Sequence, residues 1–352
     1  MHRDRADCLA AGDEAGADPL AFRLLNDYQR DFPLCPRPFE AIAAAVGSDE
    51  DTVLECYRRL AHEGVISRIG AVFAPRRIGA SALAALSAPA DRIEAVADRV
   101  SATPEVNHNY LREHGFNLWF VITAESGERL DAVVAAIERD TGCDVIVLPL
   151  EEEFHIDLGF CLAGRARDGA STGGAPLPPL ASSACSLPQF ERRLMSALQT
   201  GLPLEPQPFD ALGRKAELSE AMTLELIRGW QEEGLIKRFG AVVRHHELGF
   251  RANAMCVWDV PDELVSALGK RLGAEAAVTL CYRRRRAAPR WPYNLFCMIH
   301  GKSREAVAAA RDALAARLDL DRWPHDILFS TRRFKQRGAR YLPDETRNPP
   351  HG

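Results

Sequence analysis

Apolar and polar positions along this chain run through one pattern twice. The first passage opens with a helical period from Ala21 (AFRLLNDYQRD), then a short helix over 39–46, a turn, and a third helix from about Ser48 to His62. Glu63-Gly64 supplies a glycine stop, so the three helices and their tight turn read as a helix-turn-helix. An extended stretch over 65–73 follows as a wing. Period-two and helical patterns then predict a strand at 82–88, a helix at 91–102, strands at 106–112 and 117–123, a helix at 127–141 and a strand at 144–150. That order is βαββαβ, the ferredoxin-like arrangement. The helical passage recurs from Pro188 (PQFERRLMSALQT), and the mixed passage recurs from Ala252 to about Ser330.

The recurrence extends to individual residues. A shift of 170 positions brings FPLCPRPFEAI (from Phe32) onto LPLEPQPFDAL (from Leu202) and HEGVISRIGAV onto EEGLIKRFGAV. Gly64, Arg68 and Gly70 then meet Gly234, Arg238 and Gly240. Further on, the register slips slightly, and NHNYLREHGFNLWFV answers TLCYRRRRAAPRWPYNLFCMI, with Tyr110 on Tyr282 and Asn117-Leu118 on Asn294-Leu295. The expected fold is therefore α+β: a tandem duplication of a winged helix-turn-helix module followed by a ferredoxin-like βαββαβ module. The divisions are an N-terminal extension (1–20), helix-turn-helix modules at 21–70 and 188–240, and ferredoxin-like modules at 71–161 and 241–345. Between the copies, the Gly-, Ala-, Pro- and Ser-rich stretch 162–187 reads as a flexible linker.

Composition narrows the function. With 44 basic and 49 acidic residues the chain is mildly acidic, which opposes broad nucleic-acid affinity. No apolar run reaches the ~20 residues that span a bilayer, and the acidic N-terminus lacks the apolar core of a secretory signal. Nine cysteines without CxxC spacing read as reduced thiols, so a cytoplasmic protein is expected. The order of modules resembles the Lrp/AsnC regulators, which implies DNA binding. The would-be recognition regions oppose it. Residues 38–64 carry Glu40, Asp49, Glu50, Asp51, Glu55 and Glu63 against only Arg58 and Arg59, and SEAMTLELIRGWQEEG is equally acidic. A helix entering a phosphate-lined groove cannot carry that excess of carboxylates. Packing and dimerisation are the expected roles of these helices.

Candidate chemistry gathers where the second strand of each βαββαβ unit turns into the third. Copy one has His108, Tyr110, Arg112, His114, Asn117 and Trp119 within twelve residues. Strand alternation puts His108, Tyr110 and Arg112 on one face. Copy two has Tyr282, Arg283, Arg284, Arg286, Trp291, Tyr293 and Asn294. Aromatic rings beside guanidinium groups suit a flat polyanion, stacked on its face and held by its carboxylates.

These hairpins, HNYLREHGFNLWF and CYRRRRAAPRWPYNLFCMIHG, together with GAVVRHHELGFRANAMCVW (240–258), resemble the paired signatures of the siroheme decarboxylases, an offshoot of the Lrp/AsnC family. The likeness covers about 21–160 and 188–345, as in a fused two-subunit form. It implies siroheme as substrate, loss of two acetate carboxylates (C12 and C18) to give 12,18-didecarboxysiroheme, and a place in the synthesis of heme d1 or of heme by a siroheme-dependent route. No cofactor is required, the iron being the substrate's own. His108 is the first candidate proton donor, because imidazole titrates near neutrality, with Tyr110 and His114 as alternates. Arg112, Arg283, Arg284 and Arg286 are candidates for gripping carboxylates, and His245 or His246 for touching a substrate arm or ligating its iron. The family's second motif has His where this chain has Leu280. One competent pocket, around His108, is therefore expected. A pseudo-dimer of the halves, with further dimerisation through the helical modules, is the expected assembly. An Lrp/AsnC-type regulator and a non-catalytic heme or siroheme sensor are the alternatives.

Overall fold

The structure, a computed structural model, describes residues 18–74, 77–156, 187–243 and 252–342. In the first module, α1 (Pro19–Asp27) starts at Asp18, whose carboxylate accepts from the Leu20 and Ala21 amides. Next come α2 (Pro38–Val46), closed by left-handed Gly47, and α3 (Glu50–His62), capped by Asp49. The wing is β1 (Ile66–Phe73). The second module repeats this with α6 (Gln189–Thr200), α7 (Pro208–Ala216), α8 (Glu220–Glu232) and β6 (Ile236–Val243).

The two helical modules pair with each other inside the chain. β1 and β6 form an antiparallel two-stranded sheet centred on Gly70 opposite Gly240. A Cβ on Gly240 would lie 2.4 Å from the Tyr28 carbonyl oxygen, so only glycine lets the end of α1 approach this strand. One apolar core serves both modules, with Phe39, Tyr57, Phe209, Trp230 and Phe239 among its members. Arg58 of α3 donates to the Leu204 carbonyl at 2.7 Å, and its counterpart Arg228 of α8 donates to the Leu34 carbonyl at 2.6 Å. Arg59 pairs with Asp18. The basic side chains of both would-be recognition helices therefore bind protein.

The first ferredoxin-like unit comprises β2 (Ala80–Leu86), α4 (Ile93–Ala102), β3 (Val106–Arg112), β4 (Leu118–Ala124), α5 (Gly127–Thr141) and β5 (Val145–Ile156). Its repeat comprises β7 (Ala252–Trp258), α9 (Val265–Gly273), β8 (Val278–Arg284), β9 (Leu295–Gly301), α10 (Arg304–Leu318) and β10 (His325–Gln336). Among the described residues their eight strands close into one barrel in the order β10-β3-β4-β2-β5-β8-β9-β7. The expected last strands, ending at Leu150 and about Ser330, run six residues further. The extra residues cross to the other copy: β5 leaves β2 and pairs with β8, while β10 leaves β7 and pairs with β3. Closure leaves no strand edge exposed.

Helices cover the outside of the barrel over two apolar layers, and a third cluster (Ala85, Trp119, Leu148, Met255, Val257, Trp291, Phe296, Leu328 and neighbours) fills its interior. Among the described residues no helix is long and apolar enough to cross a membrane. The stretch read as a linker lies, except for Leu187, outside the described residues.

Candidate functional site

β3 presents alternate residues to the barrel interior. Tyr110 stands opposite Trp119 of the inner cluster and His108 opposite Val121, whereas Asn109 faces outward and bonds Ala97 and Ser101 of α4. The alternation read from the sequence thus places His108, Tyr110 and Arg112 together. The imidazole and phenol rings stack with centroids 6.2 Å apart, and the Arg112 guanidinium lies 5.7 Å from the Tyr110 ring. Arg112 is buried and donates to the Leu328 carbonyl at 2.9 Å. Its Nε has no hydrogen-bond partner, and burial lowers the guanidinium pKa to about 10.

Beyond His108 the surroundings are cationic. β10 ends with Gln336 opposite His108, and the next residue, Arg337, donates its amide to the Asn107 carbonyl at 2.9 Å. Arg68 of β1 lies on the same side. Burial first, then the charges of Arg337 and Arg68, lower the His108 pKa to about 4, so the imidazole is neutral at pH 7. Burial of Lys335, with Arg337 and Arg340 nearby, lowers its ammonium to about 8. Burial raises the Tyr110 phenol, opposed by Arg112 and Arg333.

Copy two keeps half of this arrangement. Tyr282 and Arg284 repeat the stack at 5.2 Å, and Arg284 donates to the Leu148 carbonyl at 3.1 Å. Leu280 occupies the position of His108. Opposite Tyr282, where copy one has Arg333 opposite Tyr110, stands Glu153. Glu153 is buried and ion-paired with Lys237 of the second wing.

Several expected ligand contacts are used within the protein instead. Trp119 and Trp291, expected to stack on a ligand, are 2% and 1% exposed and pack together at 4.8 Å inside the barrel. Tyr293 packs edge-on against Trp291 at 5.0 Å. Asn117 and Asn294 each bridge backbone, accepting from the amides of Ala88 and Val260 and donating back to the carbonyls of the same two residues. Neutralised by acids of the protein itself, Arg283 pairs with Glu151 of β5 and with Asp262, and Arg286 with Asp259 and Asp262. His114 accepts from the Phe116 amide at 2.9 Å and lies edge-on to Trp291. It lies past the end of β3, in the bend that follows Arg112, whereas His108 is inside the strand. His245 and His246 lie outside the described residues.

Arg68, Arg333, Lys335, Arg337 and Arg340 join the site although the hairpin motifs do not contain them. The one sequence signal for Arg68 is its place in the repeated EGVISRIGAV/EGLIKRFGAV segment.

Comparison with known proteins agrees with this architecture. Residues 22–66 and 191–237 match the siroheme decarboxylase NirDL-like helix-turn-helix domain, and 77–155 and 247–335 match the AsnC-like ligand binding domain. The chain is 46% identical to the siroheme decarboxylase NirDL subunit of Paracoccus denitrificans, over 92% of this chain and 97% of that one. It is 50% identical to the NirD subunit of Stutzerimonas stutzeri over 145 residues, which are 41% of this chain and 95% of that shorter one. A crystal structure of the siroheme decarboxylase NirDL in complex with an iron-uroporphyrin III analogue superposes with a TM-score of 0.66 at 28% identity, covering 93% of this chain and 94% of that one. The duplicated modules, their closed barrel and these matches together place the chain in the siroheme decarboxylase family, in its fused NirDL form.

Proposed function

We propose that this chain removes the C12 and C18 acetate carboxylates of siroheme as carbon dioxide, giving 12,18-didecarboxysiroheme for heme d1 or siroheme-dependent heme synthesis in the cytoplasm. The observation that carries this reading is His108, an imidazole with Arg68 and Arg337 as its charged neighbours, in a protein whose solved relative was crystallised with an iron-uroporphyrin analogue. Siroheme is a flat iron tetrapyrrole rimmed with carboxylates, and these groups match it in charge.

The chemistry is a replacement of carbon dioxide by a proton. The bond between an acetate methylene and its carboxylate breaks, its electron pair moves into the macrocycle, and the methylene carbon takes up a proton to become methyl. One proton is consumed per carbon dioxide and no electrons are exchanged, so neither an oxidant nor a separate cofactor is needed; the iron arrives with the substrate. His108 is the proton donor, Tyr110 holds it by stacking, and Arg112 and Arg333 set positive charge around them. Three of these come from one copy and Arg333 reaches them on β10 of the other, while copy two has Leu280 in place of His108, which supports one competent pocket.

Anaerobic incubation with siroheme, followed by mass spectrometry of the extracted tetrapyrrole, tests this reading. Loss of two carbon dioxide masses, abolished by His108→Ala, is expected. Siroheme that binds with a changed spectrum but leaves intact would make the chain a sensor. A regulator is disfavoured because Arg58, Arg59 and Arg228 already bind protein groups.

A further inference from the structure

We propose that Arg68 of the first wing and Arg337 of the C-terminal segment form a carboxylate clamp that holds a substrate arm beside His108. The proposal deepens the decarboxylase reading and rests on it. It also gives the helix-turn-helix wing a substrate-binding role in place of a DNA-binding one.

Three segments converge here. Arg337 is fixed directly after Gln336, the residue paired with His108, by its amide bond to Asn107. Arg68 comes from β1 and lies flat against the backbone of the C-terminal segment. A Cβ on Gly338 would come 2.1 Å from its Nη1, so a side chain at that position would displace the guanidinium. Arg340 lies behind, with its carbonyl accepting from Thr123 at 2.7 Å, and Tyr341 and Leu342 anchor the segment in the helical core.

Both guanidinium groups are short of partners. Arg68 gives one hydrogen bond, from Nη2 to the Ala71 carbonyl at 3.0 Å, and its Nε is buried with none. The Nε and Nη2 of Arg337 are likewise buried without a partner. Glu105, the acid that acts on Arg337, is itself held by Arg129. Buried donors without acceptors are costly, and like charges gathered together add to that cost. A carboxylate arriving between them satisfies the donors and cancels the charge in one step.

The clamp also has a chemical consequence. The groups facing His108 are Tyr110 on its own strand, Arg68 from the wing and Arg337 from the C-terminal segment, with no acid among them. Neutralising the two arginines with a substrate carboxylate makes the imidazolium easier to form. His108 then becomes a competent acid when substrate is present and stays neutral when it is absent.

The test compares siroheme with fully esterified siroheme in anaerobic spectroscopic binding titrations on the full chain. Arg337→Ala and Arg68→Ala should each weaken siroheme about 10- to 100-fold, the loss expected for a charged hydrogen bond. Binding of the ester should be unchanged, and Arg337→Lys should recover part of the affinity. The pH limb of kcat/KM assigned to His108 should lie at higher pH in Arg337→Ala than in wild type. Unaltered siroheme affinity, an equal loss for acid and ester, or an unmoved limb would overturn the clamp. Should Arg68→Ala fail to fold, Arg337→Lys and Arg337→Ala carry the comparison. If wild type binds siroheme through these residues yet releases no carbon dioxide, the clamp stands and the decarboxylase reading falls.

Discussion

The two halves of the barrel are built from one ancestral unit and have been left with opposite chemistry. Each keeps a tyrosine under an arginine and ties that arginine to a carbonyl of the other half, Leu328 for Arg112 and Leu148 for Arg284. The repeated stack is therefore architecture: it locks the strand crossings that close the barrel. What differs lies on either side. Beside His108 the strand crossing sets the exposed Arg333 of β10, with arginines of the wing and C-terminal segment beyond; beside Leu280 it sets the buried Glu153 of β5. Opposite Tyr282 the Glu153 carboxylate, held by Lys237, stands where a guanidinium stands opposite Tyr110. Comparing equivalent positions separates what holds the fold from what handles the substrate, a distinction that neither half alone would reveal.

The sharpest way to break this comparison is to exchange the residues that differ. His108→Ala should cut siroheme turnover by roughly 10²- to 10⁴-fold, the range for loss of a general acid, while leaving binding nearly intact. Leu280→Ala, at the matching place in half two, should leave single-turnover rates within about twofold of wild type. A comparable loss from both substitutions would mean that both halves react.

Glu153 gives the next largest effect, in stability this time. Glu153 is buried while its partner Lys237 is exposed, so losing the acid removes one hydrogen bond between charged groups and leaves the ammonium to water. Glu153→Gln should cost about 2 kcal/mol in urea unfolding. Turnover should be unchanged, because no step assigned to half one uses this residue. A variant with wild-type stability would show that this acid is solvated and the pocket around it open.

His108 also makes half one acid-sensitive where half two is not. Its folded pKa, about 4, lies below the ordinary 6.5, so protonation favours the unfolded chain. The stability it contributes is complete above pH 6.5 and declines as pH falls from 6.5 towards 4. Between pH 7 and pH 5 the loss amounts to at most about 2 kcal/mol. His108→Leu, which copies Leu280 into half one, should flatten that part of the profile, as read from urea midpoints at the two pH values. An unchanged slope would place the acid sensitivity elsewhere.

Much of the fold was legible in the sequence because its signals are local or repeated. The helix stops, the βαββαβ order and the alternation of His108, Tyr110 and Arg112 follow from periodicity, and β3 is found at the residues predicted for it. What was missed is non-local. EEEFHI and TRRFKQ are polar, so their period did not show that they continue β5 and β10 into the other half. The same crossing brings Arg333 and Arg337 to His108 from over 200 residues away, and no motif spans that distance. The hairpin arginines misled for a related reason: Arg283 and Arg286 have acid partners in Glu151, Asp259 and Asp262, which lie outside the motif. Trp119 and Trp291 were legible as aromatic, but whether a ring packs inward or faces a ligand is decided by barrel closure.

The smallest effect concerns the helical modules, where the two copies are most alike. Arg58 and Arg228 donate to Leu204 and Leu34, each reaching across to the other module. Removing either should cost about 1 kcal/mol, the usual net worth of one hydrogen bond to an exposed donor, and the two losses should match because the contacts are related by the duplication. The double variant should lose about the sum, since the two arginines share no partner. Neither substitution should alter affinity for duplex DNA, measured by fluorescence anisotropy at low salt. A drop in DNA affinity confined to these variants would show that the recognition helices still read phosphate. Half one and half two would then differ in the barrel alone, with the ancestral function preserved in the modules above it.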